Sequence, residues 1–479
     1  MGNAAFCDQC RCSCCHKQAE SEIPDPYSAY ASIYDYSPRT PMDLTVKRGD
    51  ILEIINETEH WVYVRKLTVK SGRYSQVTDE KGYVPKQLIR PIHSLEAAPW
   101  YFENITKCME AKRCLLREEN GEGAFLVWRN TRKQHYFLTV RNGNFARHYR
   151  ILESDGDCYL VKGMKFKNLS ELVAAYSENA NGLCTKLQKP CVMLDTPSIP
   201  TLSYASEWEV ERSSLKKVKL LGKGEFGEVW EGLWNNTIPV AIKELMVVKS
   251  DILNEVMIMK NLNHERLLKL CAVCTKDEPF CIVTELMRNG SLSKYLQCHR
   301  EQRDIEYSLM IDFAVQITEG MAYLQSQKII HRDLRADNIL LSEMKSCKIA
   351  DFGLAQFTFA EEKRKEMDLK IPVKWMAPEI FLEREYTFKS DVWSFGILLT
   401  EIVTYGEEPY PGMDNKSCIR FILQGNLMPI PEGCHQALYE IMRLCWRTDS
   451  PKRPGFLELQ AMLTSLIESQ IEETFPAVE

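Results

Sequence analysis

Apolar residues recur at three- and four-residue spacing from Met310 through Phe313, Ala314, Ile317 and Met321 to Leu324, a period that predicts an amphipathic helix. The helix leads into a polar stretch that begins at His331. After it come the apolar pair Ile339-Leu340 and the run Lys348-Ile349-Ala350, each of the length and type of a short strand beside a turn. Asp333, Asn338 and Asp351 therefore fall on loops between rigid elements. A second helical stripe, Ile252, Leu253, Val256, Met259 and Leu262, carries Glu255 on its edge. The run Asp391-Val392-Trp393-Ser394-Phe395-Gly396 opens a helix apolar on most faces, hence a buried one. Near the other end of the chain, short β-type runs broken by polar residues (31–36, 43–50, Trp61, 82–85) predict a small barrel.

At 479 residues the chain is too long for a single core and suggests about three or four domains. A net charge of −6 gives no reason to expect nucleic acid as a partner. No apolar run approaches the roughly 18 to 20 residues of a membrane span, and the N-terminus lacks a secretory apolar core, so a cytoplasmic protein is expected. Of the eighteen cysteines, those past residue 100, such as Cys271, Cys274 and Cys281, lie among apolar neighbours and read as reduced thiols.

Phosphoryl transfer needs a carboxylate to orient the attacking hydroxyl and oxygen ligands for magnesium on the triphosphate. Asp333, Asn338 and Asp351 are suited to those tasks. His331-Arg332-Asp333 with Asn338, Asp351-Phe352-Gly353 and Ala377-Pro378-Glu379 occur in that order, and the set closely resembles the protein kinase catalytic core. Pro372-Val373-Lys374-Trp375 together with Arg335 resembles its tyrosine-specific branch. The motif begins upstream at Gly222-Lys223-Gly224-Glu225-Phe226-Gly227-Glu228-Val229, with Lys243 sixteen residues beyond Gly227. The resemblance implies that Lys243, paired with Glu255, positions the phosphates of ATP, that Asn338 and Asp351 hold magnesium or manganese, and that Asp333 orients the substrate tyrosine with support from Arg335. It further implies a nucleotide site made by Leu221, Gly222, Gly224, Gly227, Val229, Ala241, Thr284, Glu285, Met287 and Leu340. Met259, Leu270, His331 and Phe352 would stack behind it, and Glu379 and Arg453 would form an internal ion pair.

The whole chain after residue 26 resembles a Src-related non-receptor tyrosine kinase, of the Frk, Brk and Srms branch as much as Src itself. The implied fold is multidomain: a small β-barrel SH3 domain (27–92), an α+β SH2 domain (100–192), a Pro-x-x-Pro linker (193–209), a two-lobed α+β kinase domain (214–468) and a short tail (469–479). Tyr34, Tyr36, Trp61 and Pro85 would form the SH3 groove for proline-rich ligands, with Leu88 where a groove tyrosine usually stands; the bland alternative is that the aromatics are core. The linker carrying Pro197 and Pro200 would either dock on that groove or act as a spacer. In SH2 domains the strand Phe-Leu-Val-Arg supplies the phosphotyrosine arginine, and here that position is Trp128. Arg129 would face away from the pocket unless a bulge shifts the register. Lys107, His148 and Arg150 remain as cations, so weak or no phosphotyrosine binding is expected.

Two further tyrosines are missing. The activation-loop position of the Src type is Lys363, the arginine expected right after Asp351-Phe352-Gly353-Leu354-Ala355 is Gln356, and the tail has no tyrosine. The resemblance then implies an active kinase without these phosphotyrosine switches, with Glu361 or Glu362 standing in for phosphate near Arg332. The rival reading is a catalytically idle scaffold that binds partners through SH3 and kinase-like surfaces. At the N-terminus, Gly2 invites myristoylation although Phe6 departs from the simplest pattern, and Cys7 and Cys10 invite palmitoylation. Two acyl chains would hold the protein peripherally on the cytoplasmic face of a membrane. A zinc site of the cysteines with His16, or an unmodified disordered segment, are the alternatives.

Overall fold

The computed structural model describes residues 29–36, 38, 42–58, 61–70, 73–75, 80–130, 134–154, 156–160, 164–192, 208–224, 227–245, 249–276, 278–352, 356–357 and 372–472. These fall into two compact units, one up to Glu103 and one from Asn104 onward.

The first unit is built from β1 (Ala29–Ser32), β2 (Ile51–Glu57), β3 (Trp61–Lys70), β4 (Arg73–Ser75), β5 (Lys81–Pro85) and β6 (Ile89–Pro91). β1 lies between β2 and β6, and β3 pairs with β2, β4 and β5, all antiparallel. Leu52, Val62, Val64 and Val84 point to one side and are wholly buried, as is Leu88.

In the second unit α1 (Cys108–Leu115) packs on β7 (Phe125–Asn130), β8 (His135–Asn142) and β9 (Phe145–Ser154), with β10 (Asp157–Tyr159) at the sheet edge. Residues 125–128 are buried in succession, so β7 is covered on both faces, which is why its sequence does not alternate. Next comes α2 (Leu169–Glu178), whose N-terminus is capped by the Asn168 side chain accepting from Glu171 N.

A five-stranded antiparallel sheet follows in the same unit: β11 (Leu215–Gly224), β12 (Gly227–Trp234), β13 (Ile238–Leu245), β14 (Leu270–Cys274) and β15 (Phe280–Glu285), in spatial order β11-β12-β13-β15-β14, with α3 (Lys249–Lys260) between β13 and β14 in sequence. The remainder is mainly helical: α4 (Leu292–Cys298), α5 (Tyr307–Ser326), the short strands β16 (Ile329–Ile330), β17 (Ile339–Leu341), β18 (Cys347–Ile349) and β19 (Gln356–Phe357), then α6 (Pro378–Glu383), α7 (Phe388–Val403), α8 (Asn415–Leu423), α9 (Gln436–Cys445) and α10 (Phe456–Glu472). The stripe beginning at Met310 is α5, and β17 and β18 form an antiparallel pair around the turn expected between them. α7 is buried along nearly its whole length. It lies so close to the end of α9 that a Cβ on Gly396 would come within 2.5 Å of the Trp446 indole nitrogen, so only glycine fits there. Every described cysteine is a free thiol. Among the described residues no helix is long and apolar enough to cross a membrane.

Candidate active site and the two recognition modules

Strand register gathers one wall of the site. Val229 on β12 is opposite Lys243 on β13, and Lys243 is opposite Ile282 on β15; two residues along, Ala241 is opposite Thr284. Paired residues share a face, and so do positions two apart. Val229, Ala241, Lys243 and Thr284 therefore line one face, with Gly222 opposite Val229 on β11. Leu221 is exposed at the sheet margin, while Thr284 and Met287 are buried. Leu340 lies on β17, bridged to Ser291. Glu285 Oε1 accepts from Lys348 at 2.6 Å and from Lys269 N at 2.8 Å. Gly227, at φ +146°, crosses so near β13 that a Cβ would sit 1.7 Å from Glu244 O. Its lack of a side chain is thus demanded by the sheet itself, a reason apart from approach to phosphate.

Three segments converge on the Lys243 ammonium, which donates to Glu255 Oε1 on α3 at 3.1 Å and to Asp351 Oδ1 at 3.4 Å. Burial disfavours its charge, but Glu255 and Asp351 outweigh that and hold Lys243 above the usual lysine range. Asn338 Nδ2 donates to Asp333 O at 2.8 Å and to Asp333 Oδ2 at 2.7 Å, which turns the Asn338 amide oxygen away from Asp333. Ala350 N bonds Asn338 O at 2.9 Å and so ties the approach to Asp351 to the same loop. Asp333 Oδ1 is a buried carboxylate oxygen that nothing described reaches. Burial, opposed by Arg335 and Asn338, raises the Asp333 carboxyl to about 6.

The loop is held from below. Asp391, wholly inside α7, accepts His331 N at 2.8 Å and Arg332 N at 2.9 Å. His331 is buried, meets Ala350 O at 3.1 Å through Nε2, and packs edge-on against Phe352 at 5.6 Å. Met259 and Leu270 are buried as well. Glu401 Oε2 accepts both Ala336 N at 3.0 Å and the Trp375 indole N–H at 2.9 Å. The Arg335 guanidinium rests 4.4 Å over the Trp375 ring and is paired with Asp337. Sequence reading missed Asp391 and Glu401 as supports of the loop. Their signal was a carboxylate inside an otherwise apolar helix, where an acid stays only if something bonds to it.

A donor set of one carboxylate and one amide oxygen beside a buried ammonium suits a magnesium-bound polyphosphate. The orphaned Asp333 oxygen suits a hydroxyl donor.

Among the described residues of the SH2-like sheet, the arginine position is filled by Trp128. The indole is fully buried, stacked on Phe137 at 4.9 Å and donating to Thr139 Oγ1 at 2.9 Å. Thr139 Oγ1 also meets His148 Nδ1 at 2.9 Å. Contrary to its expected role as a cation, His148 is held neutral: desolvation, with Lys112 adding to it, lowers it to about 4. Lys107 is likewise turned elsewhere, paired with Glu319 of α5, because a half-exposed ammonium gains more from a fixed carboxylate than from a site filled by indole. Arg150 remains exposed against His135 at 2.6 Å. Arg129 faces outward over the Tyr136 ring at 5.3 Å, with β7 and β8 in unbroken register.

In the first unit Tyr34, Tyr36, Trp61 and Pro85 are buried. Tyr36 meets Trp61 edge-on at 6.4 Å and donates to Asp43 at 2.5 Å, and Trp61 is opposite Pro85 across β3 and β5. Leu88 is core. Gly2, Cys7, Cys10, Pro197, Pro200, Glu361, Glu362 and Lys363 lie outside the described residues.

The family model described as protein tyrosine and serine/threonine kinase matches residues 215–463, that for the SH2 domain matches 100–176 and that for the SH3 domain 32–73. Tyrosine-protein kinase FRK of Homo sapiens is 41% identical over 451 residues, covering 92% of this chain and 88% of that protein. With the kinase match spanning just over half of its 479 residues and this likeness running almost end to end, the chain belongs to the Src-family non-receptor tyrosine kinases of SH3–SH2–kinase architecture.

Proposed function

We propose that this ATP- and magnesium-dependent tyrosine kinase works through Asp333, Lys243, Glu255, Asn338, Asp351 and Arg335, in a cleft between two lobes. The observation that carries this reading is the Lys243 ammonium held between Glu255 and Asp351. Lys243 positions the α and β phosphates, and Glu255 fixes Lys243. Asn338 and Asp351 hold magnesium, which when bound neutralises charge on the triphosphate. Asp333 orients the tyrosine hydroxyl through its unpartnered oxygen and accepts its proton. Arg335, laid flat on Trp375, supports the incoming ring. Leu221, Gly222, Gly224, Gly227, Val229, Ala241, Thr284, Met287 and Leu340, with the Glu285 backbone, enclose the nucleotide. What the protein supplies is chiefly position and electrostatics.

The flanking modules are assigned in the same reading. The N-terminal sheet closes as an SH3 barrel whose Tyr34, Tyr36, Trp61 and Pro85 contact a proline-rich ligand, with the Pro197 to Pro200 segment as the internal candidate. The SH2 domain binds phosphotyrosine weakly or not at all, since Trp128 occupies the arginine position and His148 is uncharged. The kinase is active without activation-loop or tail phosphotyrosine. Gly2 and the N-terminal cysteines carry the acyl chains of a peripheral membrane protein.

The deciding experiment follows phosphate transfer from ATP and magnesium to a tyrosine copolymer by protein made without prior phosphorylation. Turnover that is lost in Asp333→Asn and not raised by an upstream tyrosine kinase is expected. Equal signals from both proteins would remove the catalytic assignment, and a large rise after phosphorylation would remove the regulatory one.

A further inference from the structure

The face of the five-stranded sheet turned away from Lys243 carries two cysteines in register. Cys274 on β14 stands opposite Cys281 on β15. Val283, two residues beyond Cys281, is opposite Ile242 of β13, the neighbour of Lys243. Side chains alternate along a strand, so both thiols lie on the face that does not line the nucleotide site. They are buried in an apolar cluster with Val240, Ile242, Ala272 and Val283. A core cysteine is ordinarily a small, inert hydrophobe, but spacing and charge set this pair apart.

Val273 turns its N–H and C=O away from β15, to Trp208 O at 2.8 Å and Val210 N at 2.9 Å. Those of Cys274 therefore point toward β15, which makes Cys274 and Cys281 a hydrogen-bonded pair. Such a pair has its Cα atoms about 5.5 Å apart, inside the roughly 4.4–6.8 Å that a disulfide spans. The Cβ atoms need to approach by about 1 Å. β14 is the edge of the sheet and Cys274 its last residue, so this end of the strand can yield.

Arg212 supplies the charge. It donates to Pro279 O and pairs at 3.5 Å with Glu244, the residue opposite Cys281 on β13. The Cys274 S–H first, and Arg212 with it, outweigh desolvation and hold the Cys281 thiol below the usual cysteine range. Cys274 moves the other way, raised first by its hydrogen bond to Cys281. The pair thus divides into a nucleophile and a thiol that keeps its proton. Their cover is thin. Cys274 Sγ lies 3.2 Å from Val210 O, and Val210 is only half-buried, with Glu211 beside it exposed.

We propose that Cys274 and Cys281 are a peroxide-responsive modification site that closes a reversible cross-strand disulfide. The Cys281 thiolate attacks one oxygen of hydrogen peroxide and the O–O bond breaks. The hydroxide released takes up the proton that Cys281 had given to solvent, leaving water and a Cys281 sulfenic acid. The Cys274 sulfur then attacks the Cys281 sulfur, the S–O bond breaks, and the departing hydroxide leaves as water with the Cys274 proton. Two thiols and one peroxide become one disulfide and two waters. The site stands apart from the assignment of Asp333 and its neighbours, since no step of it uses the cleft.

The test uses the full-length protein, reduced, freed of reductant and exposed to hydrogen peroxide, raised until the exposed Cys184 and Cys298 are oxidised. Remaining thiols are blocked with N-ethylmaleimide and the protein is digested with trypsin without reduction. Cleavage after Lys269, Lys276 and Arg288 puts Cys271 and Cys274 in one peptide and Cys281 in the next. The expected product is these two peptides cross-linked, lighter by two hydrogens than their sum and separated by dithiothreitol. The cross-link should persist in Cys271→Ser and vanish in Cys274→Ser and Cys281→Ser. In Cys274→Ser, dimedone is expected to trap a sulfenic acid on Cys281. Absence of the cross-link from the unaltered protein while Cys184 and Cys298 oxidise would overturn the site, and so would a cross-link that survives Cys274→Ser. A sulfenic acid trapped on Cys274 in Cys281→Ser, with none on Cys281 in Cys274→Ser, would overturn the division of roles. The unaltered protein alone decides whether the bond forms, so a serine variant that fails to fold leaves the proposal open to refutation.

Discussion

Arg453 holds Glu379 with both arms of its guanidinium, Nη1 to Oε1 at 2.6 Å and Nη2 to Oε2 at 2.8 Å. The same group donates to Arg447 O at 2.8 Å and Lys389 O at 2.7 Å and lies over Trp393 at 5.1 Å. Its side chain is wholly buried. Arg453→Met would leave the largely buried Glu379 charge with the Ser390 hydroxyl, at 3.2 Å, as its remaining described partner. The catalytic-domain transition in a urea titration is expected to fall by about 3–5 kcal/mol. A loss below about 1 kcal/mol is what a solvated surface pair would give.

Trp128 answers a different question, whether the residue in the arginine position is a defect or a built part of the sheet. Its stacking on Phe137, its bond to Thr139 and its complete burial describe a core residue. Trp128→Ala is therefore expected to destabilise the SH2 domain by about 3–5 kcal/mol, read as a lowered unfolding midpoint for that domain. A negligible change would mean that the pocket stands open and the indole merely covers it.

The stripe from Met310 and the short runs around Ile339 and Lys348 could be read from sequence because local periodicity sets them. The charged site could be read because its motif order is specific. The Arg453–Glu379 pair was legible through resemblance alone, since 74 residues separate the partners. Lys107 shows where reading stops. It stands at a position that suits phosphate binding, yet its carboxylate lies 212 residues away on α5, and no local pattern reports that one domain will rest on another. His148 fails for a related reason: its residue type suggests a cation, whereas its charge is decided by desolvation that only the folded sheet imposes.

Glu401 is the support whose removal separates position from fold. Burial first, against bonds from Trp375 and Ala336, raises its carboxyl to about 7. Glu401→Leu leaves the half-buried Trp375 indole N–H and the buried Ala336 N–H without this acceptor, the buried one costing about 1–3 kcal/mol. Because Arg335 rests on the Trp375 ring, KM for a tyrosine peptide is expected to rise more than KM for ATP. Glu401→Gln keeps one acceptor oxygen and should restore most of the peptide KM. Equal rises in both constants would mean a general loosening instead.

Asp333 makes activity and stability respond to pH in opposite directions. Its carboxyl is raised from the ordinary 3.8 to about 6, by burial first. The ionised form is the one that can take a proton from a hydroxyl, so kcat/KM, which reports the free enzyme, should fall about tenfold per unit below roughly pH 6. For stability, the native carboxyl binds its proton more tightly than the unfolded chain does. Its contribution is fully present below about pH 4 and is lost as pH rises through about 6. Asp333→Asn removes the ionisable group while keeping an oxygen that can accept from Asn338. The variant should lose about 10²–10⁴-fold in kcat, yet be more stable than the parent at pH 8 and about equal to it at pH 4. A variant less stable than the parent at pH 8 would show that the ionised carboxylate is comfortably solvated where it stands, and that its titration lies near the ordinary value.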